Sequence, residues 1–158
     1  MTEGKDRLRV LIVEDSAFMR KVLRDIIAAD PEMEIVGEAR DGREGVELAQ
    51  TLKPDVITMD INMPNLDGLQ ATEIIMSQSP RPIVMVSSES REGAGSTLRA
   101  LELGAVDFVP KPSSGVDLDM RRAGQELSRK LKSAAKVRVV RTATLSRIGH
   151  PADTPSPD

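Results

Sequence analysis

The chain contains no cysteine, no tryptophan and no tyrosine, and it has two phenylalanines and one histidine. Without cysteine there are no disulfides, no thiol catalysis and no thiolate-bound structural zinc. With so few rings, the core has to be aliphatic, with several of the eight methionines filling its irregular gaps. The single histidine, His150, lies in the last few residues, and no Gly-x-Ser-x-Gly elbow occurs, so no Ser-His-Asp triad can be assembled convincingly. No run approaches the roughly 20 apolar residues of a membrane span. The polar start, Met1 to Asp6, offers no apolar signal region. A cytoplasmic protein without membrane insertion is expected.

Charge is plentiful but unevenly placed. Residues 1–116 carry 13 Lys+Arg against 20 Asp+Glu, whereas residues 117–150 carry 9 against 3. An acidic body with a basic terminal segment fits nucleic-acid contact in some proteins and a solvated helix face in more. The second reading is the one adopted here. At 158 residues the chain is long enough for one domain with a real core.

Five short apolar runs, at 8–13, 33–39, 55–60, 82–87 and 105–109, alternate with segments of helical period. That alternation predicts an α/β fold, a five-stranded parallel sheet wound on both faces by crossover helices. Phe18, Met19, Val22, Leu23, Ile26 and Ile27 mark the first helix, with Ser16 as N-cap. Asp41 and Glu44 form the pattern of a capping box before the second helix, and Asp67 caps a third. A fourth helix is expected around 92–103, closed by Gly104, and a fifth from about Asp117 to Lys136. Residues 1–136 therefore read as one domain, and 137–158 as a linker or tail expected to be flexible, with three Pro between His150 and Asp158.

The strand ends carry the chemistry. Glu14-Asp15 closes the first run and Asp60 the third, and ligands of open α/β sheets sit at that carboxyl edge. Three converging carboxylates need a cation or a proton to relieve their repulsion. Oxygen ligands without nearby His or Cys point to Mg²⁺, held by Glu14, Asp15 and Asp60, with the backbone carbonyl of Asn62 able to complete the set. The fourth run ends in Ser87, a hydroxyl, and the fifth is followed by Lys111, a fixed positive charge. A phosphoryl group moving onto a carboxylate needs this combination, with Asp60 as the nucleophile. Singly, each of these residues would pass as a strand-end or turn residue. The specificity lies in their joint occurrence.

The segments Val13-Glu14-Asp15-Ser16, Met59 to Pro64 with Asp67-Gly68, Val86-Ser87-Ser88 and Val109-Pro110-Lys111-Pro112 resemble the receiver domain of two-component response regulators, over residues 8 to about 130. The resemblance implies a flavodoxin-like receiver fold and phosphorylation of Asp60 by a partner histidine kinase. It implies Mg²⁺ bound by Glu14, Asp15, Asp60 and the Asn62 carbonyl, Ser87 and Phe108 as switch residues, and Lys111 contacting the phosphoryl group. In that family the bond between the positions of Lys111 and Pro112 is cis. More narrowly, Ala29 to Gly42, Thr97 to Val109 and Ser113-Ser114-Gly115 resemble chemotaxis-type protein-glutamate methylesterases. There a receiver precedes an esterase domain, and a basic helix and linker join the two. The esterase domain is absent from this sequence, so at most self-phosphorylation and dephosphorylation are expected of it. The output would be supplied in cis or trans. The alternative is the receiver of a DNA-binding or stand-alone response regulator. An Asp-x-Asp phosphatase would need an acid where Asn62 stands. A Rossmann domain would need a glycine-rich turn where Glu14 to Phe18 stand.

Overall fold

Along β1 (Leu8–Val13) successive side chains face opposite ways, Val10 and Ile12 to one side, Leu11 and Val13 to the other, and all four are buried. A strand covered on both faces belongs inside a parallel sheet, and that is where it lies. The computed structural model describes residues 7–87, 94–111, 117–137 and 139. The remaining elements follow in the order α1 (Ala17–Ala28), β2 (Met33–Ala39), α2 (Gly42–Leu52), β3 (Val56–Met59), α3 (Gly68–Gln78), β4 (Ile83–Ser87), α4 (Ala94–Glu102), β5 (Asp107–Pro110) and α5 (Asp117–Ala134). All pairings are parallel, in the order β2-β1-β3-β4-β5. The order reverses between β1 and β3, which makes a crevice at their carboxyl ends. This is the flavodoxin-like arrangement.

Two apolar layers hold the sheet. Leu23 and Ile27 of α1 and Leu127 and Leu131 of α5 pack on Val10, Ile12, Val84, Val86 and Val109. On the other face Ala49, Ala71, Ile75, Met76 and Ala100 meet Leu11, Ile57, Met59, Ile83 and Met85. Each fully buried Leu or Ile contributes about 1.5–3 kcal/mol of transfer free energy. Met59, Met76 and Met85 supply the bulk that rings supply in other cores. Neither phenylalanine is in the core: Phe18 is 61% and Phe108 40% exposed. Phe18 sits in the first turn of α1, at the sheet's carboxyl edge and past the strands that would cover it. Phe108 lies on an edge strand, with the Lys130 ammonium 5.6 Å from its ring centre.

Helix ends follow their caps. Ser16 Oγ accepts from the Met19 amide and Asp41 Oδ1 from the Glu44 amide. The expected reciprocal bond of Glu44 falls on the Arg40 amide instead of Asp41, so that box is displaced by one residue. The full box forms at α3, between Asp67 and Gln70. Gly104, at φ 121°, closes α4, with the Ala105 amide donating to the Ala100 carbonyl and the Gly104 amide to Leu101. Ala105 is thereby engaged in the helix cap, so β5 starts at Asp107 and runs to Pro110, later than the expected 105–109. At the far end the Lys136 and Val137 amides donate three residues back, so α5 stops at Ala134 and tightens instead of running to Lys136. Ser88, Gly93, Pro112 to Gly115 and His150 lie outside the described residues. Among the described residues, no helix is long and apolar enough to cross a membrane.

Candidate functional site

Glu14, Asp60 and Lys111 are each fixed by a backbone bond to the neighbouring strand. The Asp60 amide donates to the Val13 carbonyl at 3.0 Å, the Glu14 amide to Ala39 at 3.0 Å, and the Lys111 amide to Ser87 at 2.9 Å. Sheet register therefore aims these side chains into one crevice. Oxygen atoms of Glu14, Asp15 and Asp60 all lie within 4.8 Å of one another. Glu14 and Asp60 are buried and Asp15 is exposed. Lys111 reaches both buried acids, with Nζ 3.2 Å from Glu14 Oε2 and 3.4 Å from Asp60 Oδ1.

The charges do not balance. Burial, and then the Glu14 charge, push the Asp60 carboxyl up to about 7, against the pull of Lys111. Burial also works against the Lys111 ammonium, but the Asp60 and Glu14 charges outweigh it and its pKa is raised. Glu14 Oε2 is satisfied by the Ser16 amide and Lys111, whereas its Oε1 is buried without a partner. Three acids against one ammonium, and one orphaned oxygen, suit a divalent cation. The set is all oxygen, so it can hold a hard divalent ion. Ser87 is buried at the end of β4, and Asn62 is exposed on the loop after Asp60. Phe108 is exposed on β5, with Lys130 over its ring.

Sequence reasoning named Gly68 as part of a motif but missed what it does. The Gly68 amide donates to the Ile61 carbonyl at 2.7 Å, and a Cβ there would collide with the backbone of Asp60 and Ile61. The start of α3 thus packs directly against the turn that carries Asp60. Gly68→Ala should destabilise the fold by about 1–3 kcal/mol through this clash. A denaturant melt superimposing on the wild-type one would show that the turn has room for a side chain.

The model of the response regulator receiver domain matches residues 10–123. The chain belongs to the response regulator receiver family. Its described fold agrees with solved receivers. It is 52% identical to the response regulator domain of Thermotoga maritima CheB, with TM-score 0.76, covering 84% of this chain and 98% of that one. It is also similar to the complex of the P1 domain of CheA3 with CheY6 from R. sphaeroides, at 32% identity and TM-score 0.69, covering 84% of this chain and 99% of the matched one. Among full-length relatives, the receiver is 53% identical over 131 residues to the protein-glutamate methylesterase/protein-glutamine glutaminase of Pyrococcus abyssi (strain GE5 / Orsay), covering 83% of this chain and 36% of the relative. The Symbiobacterium thermophilum protein of the same description is 54% identical over 139 residues, covering 87% of this chain and 38% of the relative. The chain thus spans little more than a third of the length of those relatives.

Proposed function

We propose that this receiver is a phosphorylation switch that controls a protein-glutamate methylesterase output in a chemotaxis-type pathway. Asp60 would be the acceptor, and the phosphohistidine of a partner histidine kinase the donor. The observation that carries the reading is the convergence of Asp60, Glu14, Asp15 and Lys111 at one crevice. Mg²⁺ would be held by Glu14, Asp15, Asp60 and the Asn62 carbonyl. Bound there, it would keep Asp60 ionised and offset charge on the incoming phosphoryl group. An Asp60 carboxylate oxygen attacks phosphorus, the new O–P bond forms as the P–N bond breaks, and the imidazole leaves. Lys111, already 3.4 Å from Asp60, pairs with a phosphoryl oxygen.

The output side of the proposal concerns a face. The Ser87 hydroxyl would donate to a phosphoryl oxygen only after transfer, and Phe108 would turn inward into the space it vacates. Support comes from the exposed Leu98 and Leu101 on α4 and the exposed Phe108 on β5, large apolar side chains on two of the elements through which the switch would act. The methylesterase relatives favour an esterase output, reached through a linker over 137–158 that follows a receiver over 1–136. The complex of the CheA3 P1 domain with CheY6 favours a domain of that kind, on the partner kinase, as the docking partner. A cytoplasmic location belongs to the same proposal. Incubation with acetyl phosphate and Mg²⁺ should add one phosphoryl group by intact mass, and a chelator should prevent it. Equal uptake with the cation removed would overturn the Mg²⁺ assignment, and no uptake at all would overturn the switch.

A further inference from the structure

Arg20 lies in α1, outside the crevice, yet its side chain turns back toward the loop that carries the acidic pair. Its Nη1 donates to the Glu14 carbonyl at 2.9 Å and stands 3.3 Å from the Asp15 carbonyl. Its Nε is 3.8 Å from Glu38 Oε1, at the end of β2. Glu38 is in turn held by two hydrogen bonds from Arg24, at 2.7 and 3.0 Å. The Arg20 side chain is 15% exposed, so the guanidinium is largely enclosed between the loop and Glu38.

From this geometry we infer that Arg20 is a positioning residue for the cation ligands, clamping the Glu14-Asp15 backbone so that both carboxylates meet Asp60. The inference rests on the Mg²⁺-dependent switch proposed above. The physical need is clear at Asp15. Its carboxylate is exposed and lies opposite another acid, Asp60, so repulsion between the two ionised groups works against the metal-binding arrangement. Its aim is inherited from the backbone, and the Glu14 and Asp15 carbonyls, on either side of the Asp15 Cα, are the groups Arg20 holds. The guanidinium fork suits this task because one planar group reaches two carbonyls and a carboxylate together.

A clamp and a mere positive charge make opposite predictions. If Arg20 acted only through its charge, removing it would tighten cation binding. If it acts by holding the loop, removing it weakens binding, and outer-shell partners of metal ligands commonly alter affinity on the order of tenfold. Mg²⁺ affinity should be measured by calorimetry or NMR titration on the whole chain, beside the Mg²⁺ concentration that half-saturates phosphoryl uptake. Arg20→Gln is expected to weaken Mg²⁺ about tenfold, with uptake recovering at excess Mg²⁺, and Arg20→Lys to restore part of the loss. Glu38→Gln, which loosens the anchor and leaves Arg20 in place, should shift affinity the same way by less. Lys21→Gln breaks an exposed ion pair with Asp25 that involves neither the loop nor Glu38, and should leave affinity unchanged. Affinity in Arg20→Gln equal to or tighter than wild type overturns the inference and leaves the switch standing. Failure of the wild-type chain to bind Mg²⁺ overturns the switch itself.

Discussion

Asp60→Asn and Asp60→Ala chains should take up no phosphoryl group under conditions in which the wild type takes up one. An amide oxygen is not a nucleophile toward phosphorus, and alanine offers none. Two other acids stand in the crevice, so the prediction is a strong one. Glu14 is buried with one oxygen already held by the Ser16 amide and Lys111. Asp15 is exposed and has no Lys111 contact of the kind Asp60 has. Asp60 has a strand-end backbone tie to Val13 and the ammonium at 3.4 Å, without the Ser16 amide bond that engages Glu14. Intact mass after acetyl phosphate treatment is the measurement. Stoichiometric labelling of Asp60→Ala would move the acceptor elsewhere.

Without divalent cation, the chain should lose stability as pH rises from about 4 to about 7. Asp60 has an ordinary value of 3.8 and is pushed up to about 7 in the fold, mainly by burial and then by Glu14. Between those values the folded chain holds a proton that the unfolded chain has released, so raising pH favours unfolding. The contribution is fully present below about 4 and gone above about 7. Asp30, Glu38 and Asp41 are shifted down and act in the opposite sense at the acid end, so the informative quantity is a difference. Asp60→Asn should be more stable than wild type at pH 8 in chelator, by a melting-temperature gap on the order of 5 °C. The gap should close toward pH 5, and also on adding Mg²⁺, which stabilises the native wild type by binding it. A gap that stays constant across pH would show that Asp60 carries no raised pKa.

Much of the site was legible because its residues stand at the ends of apolar runs. Glu14, Asp60 and Lys111 follow β1, β3 and β5, Ser87 ends β4, and a parallel sheet brings successive strand ends to one edge whatever the loops do. The element boundaries that moved did so where a cap competed for the same amide, as at Ala105 between α4 and β5. Periodicity counted Phe18 with the buried stripe of α1, but a period identifies a face and not how far the neighbouring sheet extends beneath it. Phe108 is exposed for a related reason, since its strand is at the edge.

The sequence by itself determined the alternation of strands and helices, the caps at Ser16, Asp41 and Asp67, and the placing of Glu14, Asp60, Ser87 and Lys111 at strand ends. Those are local properties: side-chain type, period, and position relative to a strand end. The strand order β2-β1-β3-β4-β5, the burial that raises Asp60, the Lys111 distances and the clamp of Arg20 on the Glu14-Asp15 backbone were decided only by the tertiary structure. Glu14 and Lys111 are 97 residues apart in the chain, and no local pattern encodes a contact of that range. Its energy depends on how much water the packed helices exclude, and that is settled when the two apolar layers close on the sheet.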